Sequence, residues 1–268
     1  KTDRALFGAE IPITALVGDQ QGALVGQTCF TPGMAKATFG TGAFVLLNSG
    51  SSAPLSKNKL LTTVGYRVDG TATYAIEGSV FNAGTVVQWL RDQAGFIATA
   101  EESATLARAA RDSSVTFVPA FTGLGAPHWD PDARGAILGI TRDTTPAEIV
   151  RAGLEAVCFQ TKELLDAMAA DTGQRIEILR VDGGMTANDW LLQTLADLLD
   201  TPVDRPTYLE SSVHGAALMA GLGAGLYGSL DDLAMGRKTE RLFEPSQTAD
   251  WRNAAFADWQ TSVARVRQ

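Results

Sequence analysis

Apolar and polar positions along the chain change period several times, and each change marks an element. Residues 13–17 form a short, mostly apolar run closed by Gly18. That pattern predicts a buried strand, with Asp19 and Gln20 delivered at its exit. "AKATFGTGAFVLLNSG" reads as two β-rich runs, 35–39 and 43–48, around Gly40-Thr41-Gly42, which is the pattern of a hairpin. "LLTTVGYRVDGTATYAIEG" repeats it, with Asp69-Gly70 at the turn. The period then becomes helical: Val80, Gly84, Val87 and Leu90 share one face with Trp89 beside them, and a second helix is predicted over 100–111. "VTFVPAF" predicts a short strand that opens onto a Gly- and Pro-rich loop, 119–134.

A long helix follows with a strong start. Thr145 suits the N-cap, Pro146 the first helical position, and Glu148 completes a capping box. Ile149, Ala152, Leu154, Val157, Leu164, Leu165 and Met168 carry its apolar face, and Gly173 is the expected stop. "IEILRVDGG" predicts a strand over 178–181 that ends in two glycines. "NDWLLQTLADLLD" predicts an amphipathic helix, "TPVDRP" a short strand, and "GAALMAGLGAG" a helix whose small residues pack closely on a neighbour. No internal repeat or low-complexity linker interrupts this order. Strands, then helices, then strand–turn–helix–strand–helix predict an α/β fold, a mixed β-sheet flanked by helices.

Composition narrows the function classes. A chain of 268 residues buries a sizeable core as one large domain or two modest ones, and 45% hydrophobic with 19% charged residues excludes disorder. Twenty-two basic against 30 acidic residues leave a net charge of −8, and no basic run exists, which argues against nucleic acid and anionic membrane surfaces as partners. Cys29 and Cys158 lie far apart in apolar surroundings and read as buried thiols in a reducing compartment. With only His128 and His214 beside them, no metal-ligand spacing occurs. No apolar stretch spans a membrane and no signal peptide is visible, so a cytoplasmic location is expected. The chain opens "KTDRALFG", without methionine, as an excised piece of a longer protein would.

Three Gly-rich turns, at Gly18, Gly40-Thr41-Gly42 and Gly183-Gly184, follow predicted strands, and such turns expose backbone amides to phosphate. Neither a Walker-type loop nor a Rossmann glycine fingerprint is present, so a nucleotide would use another cradle, with Thr41 offering a hydroxyl as well. Asp19 suits a carboxylate that orients an attacking hydroxyl and accepts its proton, and equally one that caps the next helix. Asn188 suits a ribose or adenine, and equally a local helix cap. The loop 119–134 suits a lid or an interface, while His128 and His214 read as local structural residues.

"GDQQGALVGQ", "GMAKATFGTGAFVLLNSG", "YAIEGSVFNAGTVVQWLRD", "VPAFTGLGAPHWDPDARGAILGITR" and "RVDGGMTANDWLLQTLADLLDTPVDRP", in this order, resemble the C-terminal half of the glycerol kinase family. That family belongs to the carbohydrate kinases of the actin/hexokinase-like ATPase fold. The resemblance implies a ribonuclease H-like, actin-like ATPase lobe over residues 1–268, the nucleotide-binding lobe of a two-lobed kinase whose N-terminal lobe is absent from this chain. The implied reaction is phosphorylation of glycerol by ATP to sn-glycerol 3-phosphate, with Mg2+.

By the same resemblance Asp19 is the general base and lies near magnesium, directly or through water. Gln20 hydrogen-bonds glycerol and Phe44 packs on its carbons. Thr41 meets the terminal phosphates, Gly84 and Gln88 meet the nucleotide, and Gly184 and Asn188 meet the adenosine. Core packing is the other reading of Gly84 and Phe44. Implied partners are glycerol, ATP and ADP, the N-terminal lobe and further copies of the protein as a homo-oligomer. Glu10 stands where some bacterial members carry an inhibitor-binding arginine, and "EPSQTADWRNAAF" departs from a stretch that docks a transport regulator in some members, so neither form of regulation is expected. The isolated chain is expected not to catalyse at a useful rate, because half of the transition-state contacts are missing. A kinase for a pentulose or gluconate shares Asp19 and the glycine turns, and a non-catalytic actin-like ATP-binding module is the reading from another class.

Overall fold

The structure is a computed structural model and describes residues 1–267. It overturns the first expectation. Residues 13–17 lie between the one-turn helix α1 (Arg4–Phe7) and helix α2 (Asp19–Gly26) and form no strand, and Leu16 is 93% exposed. Thr14 Oγ1 donates to the Ala220 carbonyl at 2.7 Å, so this segment runs against a helix rather than along a sheet. An apolar run records a preference for burial and says nothing about a pairing partner. Asp19 is therefore not at a strand exit; it opens α2 directly behind Gly18 at the N-cap.

The alternating runs pair as expected. β1 (Ala35–Phe39) and β2 (Ala43–Gly50) are antiparallel, with Thr38 opposite Phe44. β3 (Leu61–Val68) and β4 (Thr71–Val80) close on Asp69 and Gly70, at φ 49° and 79°. Two successive positive φ values are what a tight hairpin turn needs to match strand twist. Val80 ends β4 instead of opening a helix, and α3 (Gly84–Asp92) starts four residues later. A four-residue spacing places Val80 and Gly84 in helical phase by coincidence, across a strand–helix junction. α4 (Glu102–Ala109) is shorter than the predicted 100–111. β5 (Thr116–Val118) pairs with β6 (Ala136–Leu138), a strand too short to leave a periodic signal. The loop between them is tied to the body: His128 Nε2 lies 3.1 Å from Glu163 Oε1, and Trp129 Nε1 donates to the Lys59 carbonyl at 2.7 Å. His214 sits beside the Tyr208 ring and takes a local packing role.

α5 (Pro146–Thr172) begins and ends as its sequence signals, with a Thr145–Glu148 capping box and Gly173 at φ 69°. The Thr145 hydroxyl and amide, and then Arg111, hold the Glu148 carboxyl down at about 2, against an ordinary value of 4.5. A depressed carboxyl contributes stability that is complete above 4.5 and is lost as pH falls from 4.5 toward 2. In urea unfolding, the stability gap between the wild type and Glu148→Gln is expected to narrow between about pH 6 and about pH 3. A gap that does not change with pH would contradict this assignment.

β7 (Leu179–Asp182), α6 (Asp189–Leu199) and β8 (Val203–Pro206) follow within a residue or two of prediction, with a 3-10 turn over Gly184–Ala187 between the first two, while α7 (Ser211–Gly223) begins four residues ahead of the predicted 215–225. α8 (Leu230–Ala234), β9 (Thr239–Phe243) and α9 (Ala249–Val266) were not anticipated. The seven-stranded sheet has the order β3-β4-β2-β1-β7-β8-β9; β1–β7 and β7–β8 are parallel and the remaining pairs antiparallel.

Strand alternation sorts two layers onto this sheet. Ala35, Ala37 and Phe39 share one core with Val86 of α3, Leu154 of α5 and Leu191 of α6. Leu46, Tyr66 and Ala75 share the other with Leu24 and Val25 of α2 and Leu218 of α7. α2 and α7 touch through glycines: a Cβ at Gly215 would overlap the Gly22 carbonyl and lie 2.6 Å from the Gly26 amide nitrogen. The predicted close packing of the small-residue helix is thus met by α2. Both cysteines are buried and free, and burial pushes the Cys29 thiol up to about 11. Among the described residues no helix is long and apolar enough to cross a membrane.

Candidate functional site

Because β1 and β7 run parallel and adjacent, their carboxyl ends open at the same edge of the sheet. The turn 40–42 leaves one and Gly183-Gly184 leaves the other. Gly183 has φ 92°, and a Cβ there would lie 2.5 Å from the Phe39 carbonyl oxygen, so only glycine lets the two turns meet. α3 clamps the first turn. Its Gly84 amide donates to Gly40 O at 2.9 Å, while the Ala83 and Thr85 amides both donate to Thr41 O at 3.1 Å. A Cβ at Gly84 would sit 2.5 Å from Gly40 O, so this glycine too is fixed by close approach. Among the described residues the amides of Thr41 and Gly42 have no hydrogen-bond partner. They are donors left over by the turn, of the kind that can bind an anion.

A cleft of about 370 Å³ opens here, and Thr41, Gly84, Gln88, Gly184 and Asn188 all line it, with Arg91 at its side. The five residues expected to meet a nucleotide are thus brought together from three separate segments. At Gly184 a Cβ would meet nothing within 4 Å, so the cleft has room there. Asn188 answers to both of its readings: it lines the cleft, and its Oδ1 accepts from the Leu191 amide at 3.1 Å as the N-cap of α6. A larger hollow of about 580 Å³ lies between α5 and α9 and contains none of these residues. Its charged lining is Asp112, Glu148, Glu155 and Asp258 against Arg151 and Arg265, an excess of acid that disfavours a phosphate ligand.

On the α2 face of the same strand ends lies a polar cluster. Asp19 is exposed; its Oδ1 accepts from the Gln20 amide at 2.8 Å and its Oδ2 from Gln20 Nε2 at 3.3 Å. Lys36, fully buried in β1, donates to Gln20 Oε1, to Thr38 Oγ1 at 3.0 Å and to Phe44 O at 3.4 Å. Burial pushes its ammonium down to about 8, while the nearby Asp182, Glu77 and Asp19 carboxylates favour the charged form. Burial also raises Glu77, against the pull of Lys36. Gln27 Nε2 donates to Asp182 Oδ2 at 3.0 Å. The Phe44 ring, 38% exposed, stands on this face opposite Thr38.

Sequence reasoning missed Lys36, Glu77 and Asp182. A signal for the first was present: Lys36 and Thr38 are the polar positions of "AKATF", and alternation puts both on one face. Asp19, Gln20 and Phe44 therefore gather on one face of the strand ends, and the five cleft residues on the other, with the turn 40–42 between them.

Comparison with known proteins bears on this arrangement. The FGGY family of carbohydrate kinases, C-terminal domain, matches residues 35–224. A glycerol kinase of Marinomonas sp. (strain MWYL1) is 54% identical over 266 residues, which are 99% of this chain and 54% of that one. A glycerol kinase of Alcanivorax borkumensis is 55% identical over 264 residues, 98% of this chain and 53% of that one. The crystal structure of Plasmodium falciparum glycerol kinase with ADP superposes with a TM-score of 0.92 at 36% identity, covering 99% of this chain and 53% of that one. A xylulose kinase of Lactobacillus acidophilus shares the fold, with a TM-score of 0.79 at 21% identity over 91% of this chain and 50% of that one. The chain spans about half the length of the curated relatives it matches.

Proposed function

Since the chain belongs to the FGGY family of carbohydrate kinases and has their actin-like ATPase fold, we propose that it forms the C-terminal, nucleotide-binding lobe of a cytoplasmic enzyme that phosphorylates glycerol with ATP. The observation that carries this reading is the cleft at the ends of β1 and β7, where Thr41, Gly84, Gln88, Gly184 and Asn188 converge. The 54% identity to a glycerol kinase supports glycerol as the acceptor.

The ATP phosphates lie over the unpartnered Thr41 and Gly42 amides, and the adenosine extends toward Gly184 and Asn188. Gly84 acts by holding the turn, since its amide is spent on Gly40. Glycerol lies on the α2 face, its carbons against Phe44 and its hydroxyls within reach of Gln20. Asp19 accepts the proton of the attacking hydroxyl as that oxygen bonds to the terminal phosphorus and the bridging bond to ADP breaks. Among the described residues no cluster of three or more His, Cys, Asp or Glu side chains forms a self-sufficient metal site. That suits magnesium, an ion held mainly by substrate phosphates with one or two carboxylates, here Asp19. When bound it neutralises phosphate charge. The N-terminal lobe of the same protein supplies the opposing wall, and closure of the two excludes water.

The deciding measurement is ADP release by the full-length protein with magnesium-ATP, offered glycerol, xylulose, ribulose or gluconate in turn. Strong release with glycerol is expected. Release only with a pentulose or gluconate would move the substrate within the family. No stimulation by any of them would leave an ATP-binding module.

A second test addresses the cleft. Gly184→Val adds a Cβ that meets no protein atom within 4 Å, so the fold is expected to hold, while the added methyls are expected to occupy nucleotide space. ADP affinity measured by calorimetry is expected to fall about tenfold or more, a loss of ~1.4 kcal/mol, with an unchanged melting temperature. Undiminished affinity would remove Gly184 from the site.

A further inference from the structure

Lys36 is the one group of the α2-face cluster that is wholly buried, charged and donor-only. Its three N–H bonds meet three acceptors: Gln20 Oε1, Thr38 Oγ1 and Phe44 O. Thr38 and Phe44 O belong to the rigid β1–β2 hairpin. Among the described residues Gln20 Oε1 is its only hydrogen-bond partner outside that hairpin, so this bond ties its ammonium to α2.

A carboxamide has an acceptor end and a donor end of nearly equal shape, and its neighbours decide which way it faces. Lys36 has nothing to accept with, so Gln20 must turn its oxygen toward Nζ. Its NH2 is then left to face Asp19, where Nε2 lies 3.3 Å from Oδ2. The Gln20 backbone amide already holds Asp19 Oδ1 at 2.8 Å. Both oxygens of Asp19 are thus held by one residue, the first through a fixed backbone bond and the second through a side chain whose polarity is set from below. With the amide turned over, Oε1 would face a carboxylate oxygen and repel it.

We propose that Lys36 is a positioning residue, which fixes the orientation of the Gln20 carboxamide and through it the orientation of the Asp19 carboxylate. This rests on the reading of Asp19 as the base that takes the proton of the acceptor hydroxyl. The buried lysine costs desolvation, and its return is a carboxylate held in one rotamer. It acts at a distance and touches no reacting atom.

The experiment uses the full-length protein and two independent arms. In the first, kcat and KM are measured for the wild type, Lys36→Met, Gln20→Leu and the double variant. Methionine fills the same volume without a donor. Lys36→Met is expected to lower kcat by about 10- to 100-fold, the scale of a small misplacement of a reacting group, with the KM for ATP unchanged. In the Gln20→Leu background the same substitution costs nothing further, because the residue it acts through is gone. A wild-type kcat in Lys36→Met, or an equal loss in both backgrounds, overturns the proposal.

In the second arm a neutron structure of the wild type locates the Gln20 deuterons. Deuterons on the atom facing Asp19 are expected, and deuterons facing Lys36 overturn the proposal. This arm needs no variant to fold and no particular acceptor. If the wild type transfers nothing to glycerol, the proposed function fails while the deuterons still decide the role of Lys36.

Discussion

Asp19→Asn in the full-length protein is expected to lower kcat for glycerol-dependent ADP release by about 10²- to 10⁴-fold, the range of a lost general base. Asparagine keeps the size of the side chain and an oxygen for the Gln20 amide, which donates to Asp19 Oδ1 at 2.8 Å. It cannot take the proton. The nucleotide KM is expected to hold, because Asp19 lies on the α2 face while Thr41, Gly184 and Asn188 line the cleft on the other side of the turn. Stability is expected to hold as well, since Asp19 is exposed. A fall in kcat without a change in nucleotide KM is the signature of an interaction made in the transition state. A variant that retains kcat to within about tenfold would move the base elsewhere, and Glu77 would be the next carboxylate to replace.

Gly215→Val is expected to be the most damaging single change to the fold. Its Cβ would overlap the Gly22 carbonyl and approach the Gly26 nitrogen at 2.6 Å, and both obstacles are backbone atoms of α2. A side chain in the way could rotate aside; a helix backbone can yield only by moving as a body. The expected loss is ~3 kcal/mol or more, the upper range for overpacking. For a domain of this size that is roughly 6–12 °C in Tm. Urea and thermal unfolding of the chain measure it directly. Activity of the full-length variant should fall as well, because α2 carries Asp19 and Gln20 at its first two positions. An unchanged unfolding midpoint would mean that α2 and α7 separate at no cost. Gly184→Val is the control, since a Cβ there meets nothing within 4 Å.

The two glycine outcomes bear on how much was legible in the residues. "GGMTAN" and "GAALMAGLGAG" both announce close approach, and neither says what approaches. At Gly184 it is open space, at Gly183 the backbone of β1, at Gly215 the backbone of α2. Local signals were read well where the chain satisfies them within a few residues. The Thr145–Glu148 box, the Gly173 stop and the Asp69-Gly70 turn each close a short loop of hydrogen bonds or dihedral demands, and each stands where predicted. Local signals failed where a partner far along the chain decides. The run 13–17 is apolar enough for a strand but lies against α7. β6 exists because β5 lies beside it.

The candidate site divides in the same way. The motif residues Asp19, Gln20, Thr41, Phe44, Gly84, Gln88, Gly184 and Asn188 could be named as candidates from the sequence only through its resemblance to the glycerol kinase family, which assigns those positions. Their grouping onto two faces of one pair of strand ends could not. It follows from the parallel pairing of β1 with β7, across more than 140 residues of chain. Lys36 makes the point most sharply. In the sequence it is a lysine in a strand, where a solvated charge is the ordinary expectation. Only the pairing of β1 with β7 and of β2 with β4, and the closing of α2 over them, strip its water, bring Asp182, Glu77 and Asp19 within reach of its charge, and leave Gln20 among its acceptors. Residue type and short-range spacing determine which chemistry is available; burial and the field of distant groups exist only once the chain has folded, and they decide what that chemistry does.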